Sequence, residues 1–184
     1  MINYPTKNSS STYTKNTNTA NRGMALEEMI NRSNQYYEVH DIAYVNKRPT
    51  PIKVIKTDGD YHITDAVFLS PSTLDYVGIF KGKYLDFEAK ETQSIKGFPM
   101  NNIQEHQVRA MKNITNSGGI SFAIIYFRKL NKIFLVDAKY IIEFKDNKKS
   151  TMPLEDIFKF GIELKESYNL PIDYISAVRQ LYFN

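Results

Sequence analysis

The sequence predicts a mixed α/β architecture: a central β-sheet flanked by helices, with a β-ribbon protruding from it. Three observations point there. Alternating segments flank Asp58-Gly59 and again Lys81-Gly82-Lys83, which marks two hairpins. The run Ile120–Phe127 is apolar, β-branched and aromatic throughout, as expected of a central strand buried on both faces. Between such strands lie segments whose apolar residues recur at helical spacing.

Residues 1–20 are rich in Ser, Thr, Asn and Lys and hold almost no large aliphatic residue, so they read as a flexible basic arm. Residues 21–184 then read as one domain. The pattern over Asn21–Ser33 predicts a helix with Ala25, Leu26, Met29, Ile30 and Ser33 on one face. Glu27 flanks that face and Glu28 points nearly opposite. A strand over Ile42–Val45 runs into Lys47-Arg48-Pro49-Thr50-Pro51, where two prolines end regular structure. Ile52–Thr57 and Tyr61–Phe68 form the ribbon, with Lys53 and Lys56 along it. Tyr76–Phe80 and Tyr84–Ala89 make the second hairpin. A helix over Asn101–Asn116 turns Ile103, Gln107, Ala110, Met111 and Ile114 inward and closes at Gly118-Gly119. After the apolar strand come a strand over Ile133–Val136, helical patterns at Ala138–Phe144 and Leu154–Phe158, and a closing Pro171–Ile175 that pads the sheet.

Composition removes several function classes. The 184 residues are 42% hydrophobic and 24% charged, an ordinary globular balance, and contain no Cys. A disulfide framework, a thiolate nucleophile and a Cys-ligated zinc site are therefore excluded. The three histidines, His40, His62 and His106, are scattered and make no metal motif. No apolar run is long enough to cross a bilayer, and the polar N-terminal stretch lacks a signal-peptide pattern, so a cytoplasmic protein without membrane partners is expected. The net charge is +4 and the pI near 9.0, which favours a polyanionic partner. That charge is concentrated: residues 1–22 carry Lys7, Lys15 and Arg22, and residues 47–56 carry Lys47, Arg48, Lys53 and Lys56, both without an acid.

The chemistry centres on Thr73-Leu74-Asp75 and Asp86-Phe87-Glu88-Ala89-Lys90. Period-two geometry sends Asp86, Glu88 and Lys90 to one face, and a short hairpin brings Asp75 beside Glu88. Two adjacent carboxylates raise one another's pKa unless a cation lies between them, and hard oxygen donors suit Mg²⁺, with Mn²⁺ as a substitute. Lys90 would then orient the attacking water or neutralise charge on a scissile phosphate. A bare pattern of this kind is more often a solvated β-hairpin. Two residues shift the balance: Glu27 at the flank of an apolar face, and Gln107 inside an apolar stripe, where a polar group needs a partner.

These residues resemble a family. Asn21-Arg22-Gly23-Met24-Ala25-Leu26-Glu27-Glu28, Lys47-Arg48-Pro49-Thr50-Pro51, the stretch from Asp75 to Thr92, Phe98-Pro99 and His106-Gln107 are similar to the RecU Holliday junction resolvases of low-GC Gram-positive bacteria, within the PD-(D/E)xK nucleases. The likeness runs from Asn21 to about Tyr174. It implies a restriction-endonuclease-like fold and a magnesium site of Thr73, Asp75, Glu88 and Gln107, with Lys90 as transition-state stabiliser and Glu27 as a first-helix acid. It also implies a homodimer that resolves four-way DNA junctions by paired symmetric nicks during recombination and repair, with recombinase and branch-migration proteins as partners. Residues 52–68 match the family's β-ribbon stalk but are a few residues shorter. Arg22, Lys47, Arg48, Lys53 and Lys56 are the expected phosphate contacts. Two alternatives stay open: a duplex restriction or repair nuclease of the same fold, and a non-cleaving junction-binding modulator of recombination.

Overall fold

The computed structural model describes residues 24–59, 62–69, 73–165 and 170–183. The expected basic arm and Arg22 lie outside the described residues.

The first helix, α1 (Met24–Val39), runs six residues past the expected end at Ser33. Its continuation is largely polar and aromatic, which hid the helical face, yet Asn34 and Tyr37 are buried and paired in the interior. The Tyr37 hydroxyl lies 3.2 Å from the Ile172 carbonyl and 3.1 Å from Asp173 Oδ1, and Tyr174 donates to Asn34. Asp41 takes a left-handed turn (φ 52°), which delays β1 (Tyr44–Lys47) by two residues from its predicted start.

The ribbon follows as β2 (Ile52–Asp58) and β3 (His62–Phe68), antiparallel, with a register irregularity near Ile55. All fourteen residues of the two strands are exposed, so the ribbon stands off the body as expected. The second hairpin is β4 (Tyr76–Phe80) and β5 (Lys83–Thr92). Strand β5 continues three residues beyond Ala89 because it pairs in parallel with β7 (Ile120–Phe127) as far as Thr92 opposite Phe127.

Between these strands lie β6 (Gly97–Pro99), a 3₁₀ turn at Met100–Asn102, and α2 (Glu105–Asn116). The helix therefore starts four residues later than its periodicity predicts; Ile103 is buried but precedes it. The chain closes with β8 (Lys132–Asp137), α3 (Ala138–Asp146), β9 (Thr151–Pro153), α4 (Leu154–Phe160), β10 (Ile162–Leu164) and α5 (Tyr174–Tyr182). Strands β6, β9 and β10 were not legible in the sequence, since three residues are too few to show a period. The closing segment expected as sheet padding does pack there: Ile172, Tyr174 and Ile175 are buried, and the last two open a helix.

The main sheet has six strands in the order β1-β4-β5-β7-β8-β10, parallel only between β5 and β7. Its two faces carry separate cores. On one, Leu85, Phe87, Phe122 and Ile124 meet Leu26 and Ile30 of α1 and Ile175 and Val178 of α5. On the other, Ala123, Ile125 and Val136 meet Val108 and Met111 of α2 and Ile141 of α3. Each face is thus dried by helices, as a mixed sheet with a continuous apolar central strand requires.

Because the ribbon takes no part in either core, removing it should not unfold the body. Replacing residues 53–67 with an Asn-Gly turn should preserve cooperative melting by circular dichroism; loss of cooperative melting would show that the ribbon braces the sheet.

Candidate active site

The site grows out of the β4–β5 ladder. Tyr76 pairs with Phe87, so the next rung outward sets Asp75 against Glu88. Asp75 Oδ2 accepts the Ala89 N–H at 3.0 Å, which pins that carboxylate to the strand. Glu88 and Lys90 project from β5 toward α2, and the Lys90 ammonium contacts Glu88 Oε1. Gln107, in the first turn of α2, donates from Nε2 to the same oxygen at 2.6 Å. Its Oε1 accepts the Gln104 N–H at 2.8 Å. The polar residue inside an apolar stripe is therefore satisfied at both ends, one securing the helix start and the other securing Glu88.

Glu88 is fully buried, and among the described residues its Oε2 has no hydrogen-bond donor. Burial pushes its pKa from 4.5 up to about 8; the Asp75 carboxylate adds to the rise and Lys90 opposes it. An unpartnered buried carboxylate oxygen beside a second carboxylate calls for positive charge, and hard oxygen donors match a divalent cation. Asp75 and Glu88 fit that role. Among the described residues no three His, Cys, Asp or Glu side chains cluster. Further ligands would be hydroxyl, amide, carbonyl or water oxygens, a set that Mg²⁺ accepts. Thr73 is exposed on the segment leading into Asp75. Gln107 turns its nitrogen, not its oxygen, toward Glu88.

The model of the RecU family, recombination protein U, matches residues 21–180. The chain belongs to the RecU family. Curated relatives named Holliday junction resolvase RecU include one from Geobacillus sp. strain WCH70, 41% identical over 91% of this chain and 87% of the relative. Another, from Bacillus cytotoxicus, is 43% identical over 89% of this chain and 86% of its own length. A solved structure of Hjc, a Holliday junction resolvase from Archaeoglobus fulgidus, aligns with a TM-score of 0.47 at 10% identity, covering 77% of this chain and 95% of that one.

Around Asp75 and Glu88 the remaining predicted residues separate. Glu27, at the start of α1, forms a 2.5 Å ion pair with Lys47 at the end of β1. Lys53 and Lys56 are exposed on the ribbon, Lys56 across from Asp65. Arg48 is turned inward onto the Asp86 carboxylate. His40 stacks on Tyr36 with ring centroids 4.0 Å apart, and His62 sits on the ribbon, so neither joins the site.

Two acids have partners that the sequence did not reveal, the buried Asp86 and the half-buried Glu91. Asp86 shares the face of Glu88, as parity requires, but its pairing with Arg48 crosses strands that no spacing rule connects. Glu91 points to the opposite face, where it accepts the Leu26 N–H at 3.0 Å and contacts Arg128. It thereby satisfies one of the free amides in the first turn of α1. Ending β5 at Ala89 left Glu91 without a face; the longer strand assigns it one.

The raised Glu88 pKa sets a pH dependence for the metal-free protein. Its folded value lies above the unfolded 4.5, so the associated stability is full below about pH 4.5 and is lost as pH rises toward about 8. Thermal melting in EDTA should show that decline, and Glu88→Gln should flatten it. An unchanged slope in the variant would mean that Glu88 is not the titrating group.

Proposed function

We propose that this chain is a magnesium-dependent endonuclease that resolves four-way DNA junctions, a homodimer nicking two symmetry-related strands. Family membership and the names of its relatives support the substrate. The observation that carries the chemistry is the buried Glu88 carboxylate, one oxygen held by Lys90 and Gln107 and the other unpartnered beside Asp75.

Asp75 and Glu88, with Thr73 on the same approach, would hold Mg²⁺, or Mn²⁺ as a substitute. The cation would supply the charge that stabilises a pentavalent phosphate and would lower the pKa of an attacking water. Asp75 stays in place through the Ala89 amide, and Glu88 through Lys90 and Gln107, so the two acids meet the phosphate preorganised. The Lys90 ammonium, part-exposed at the edge of this pair, has room to answer negative charge on the scissile phosphate. Water adds to phosphorus as the bond to the 3′ oxygen breaks, which leaves 5′-phosphate and 3′-hydroxyl ends. Glu27 stands as a supporting acid near the start of α1.

Resolving a junction into two intact duplexes takes two nicks related by symmetry, which a two-fold dimer with one site per copy provides. The ribbon supports this assembly. It exposes Ile52, Val54, Val67, Phe68 and the adjoining Leu69, and a lone two-stranded ribbon with so much open apolar surface needs covering. Arg22, Lys47, Lys53 and Lys56 would contact phosphates, a salt-sensitive attraction without sequence preference. Branch selection would come from shape. A cytoplasmic site of action, with recombinase and branch-migration proteins as partners, fits this activity; no described helix is long and apolar enough to cross a membrane.

Nicking of a labelled four-way junction beside a linear duplex of the same sequence, with Mg²⁺ or EDTA, tests the reading. Paired nicks on the junction alone should appear with Mg²⁺ and vanish in EDTA. Asp75→Asn and Glu88→Gln should each lower cutting by more than about 100-fold, the upper end for changes one shell further from a metal, while junction binding persists. Equal cutting of the duplex would make this a nuclease without branch preference, and binding without nicks would make it an architectural protein.

A further inference from the structure

Arg48 was expected on phosphate, but its donors are directed inward. Its backbone N–H donates to the Asp75 carbonyl at 2.7 Å, one rung beyond the last β1–β4 pair, Lys47 with Tyr76. Its Nε donates to the Leu74 carbonyl at 3.2 Å. The tip of the guanidinium contacts Asp86 Oδ2 and lies 3.3 Å from the Tyr84 hydroxyl, which donates to the same carboxylate oxygen at 2.9 Å. Asp86 is 2% exposed and lies two residues before Glu88 on the same face of β5.

One side chain thus bridges the two segments that carry the paired acids. The Thr73–Asp75 approach is tied by Arg48 to the strand bearing Glu88, through a planar fork that lysine cannot reproduce. Pulling the fork out to reach DNA would strand the buried Asp86 carboxylate without its counter-ion, which is costly.

We infer that Arg48 is a positioning residue: it sets the spacing between Asp75 and Glu88 and so governs how well the pair holds a divalent cation, instead of contacting DNA phosphate. The inference rests on the junction-nuclease reading for its activity readout, but its metal-binding readout does not.

Arg48→Lys and Arg48→Ala should be compared with the parent by three measurements. The first is Mg²⁺ binding to the DNA-free protein by calorimetry. The second is single-turnover cleavage at saturating junction, and the third is junction affinity across a salt series. Both variants should bind Mg²⁺ more weakly and cleave more slowly, each by about 10- to 100-fold, as changes to groups that orient metal ligands do. Junction affinity and its salt slope should stay at the parental value. Asp86→Asn should reproduce the loss, and adding it to Arg48→Ala should deepen the loss little, since the two act as one unit. Arg48→Lys keeps the charge, so it decides the matter if Arg48→Ala fails to fold.

A salt slope reduced by about one with normal Mg²⁺ binding would make Arg48 a phosphate contact and overturn the inference. Parental Mg²⁺ binding in both variants would overturn it as well. Should the parent cut no junction at all, the nuclease reading falls, while the calorimetry still judges Arg48.

Discussion

A carboxylate without solvent is the constraint on which the rest of this structure turns. Glu88 sits fully buried on an inner strand of the sheet, with a second acid beside it and one oxygen unpartnered. Burying such a group costs several kcal/mol unless charge and hydrogen bonds answer it. The chain answers one oxygen with Lys90 and Gln107 and leaves the other open. A surface carboxylate would be easier to tolerate but would hold a cation loosely; the buried one is held by its surroundings before any ligand arrives.

Keeping that acid in place demands rigid neighbours. Strand β5 is bonded on both edges, antiparallel to β4 and parallel to β7. A slip of one residue would send Glu88 to the face of Phe87 and Phe87 into the site, so the apolar core of each face locks the register. Helix α2 is tied to the same carboxylate, because Gln107 spends one end of its amide on the Gln104 backbone and the other on Glu88. Core packing and site geometry are in this way one problem: Met111 and Val108 hold the helix that holds the glutamine.

The ribbon follows the opposite logic. It contributes nothing to the two cores and carries lysines and apolar side chains into solvent. A body whose cores exclude the ribbon leaves it free to vary in length and surface while the paired acids stay on the sheet.

The places of most strands along the chain, the standing ribbon, and the placing of Asp75, Glu88 and Lys90 on one hairpin were determined by the sequence itself. Each rests on period-two alternation and a tight turn, which are local. Local pattern also flagged Gln107, a polar residue in an apolar stripe, without naming its partner. Tertiary structure alone decided the rest. The lengths of β5 and α1 came from contacts distant in sequence, Thr92 with Phe127 and Tyr37 with Ile172, that no window of neighbouring residues contains. The turning of Arg48 from an expected phosphate contact to the Asp86 carboxylate is of the same kind. A basic residue beside prolines reads as exposed, and only the crossing of β4 between β1 and β5 brings a buried acid within reach of its guanidinium. Charge written along a chain shows what a residue can bind; the fold sets which opposite charge reaches it first.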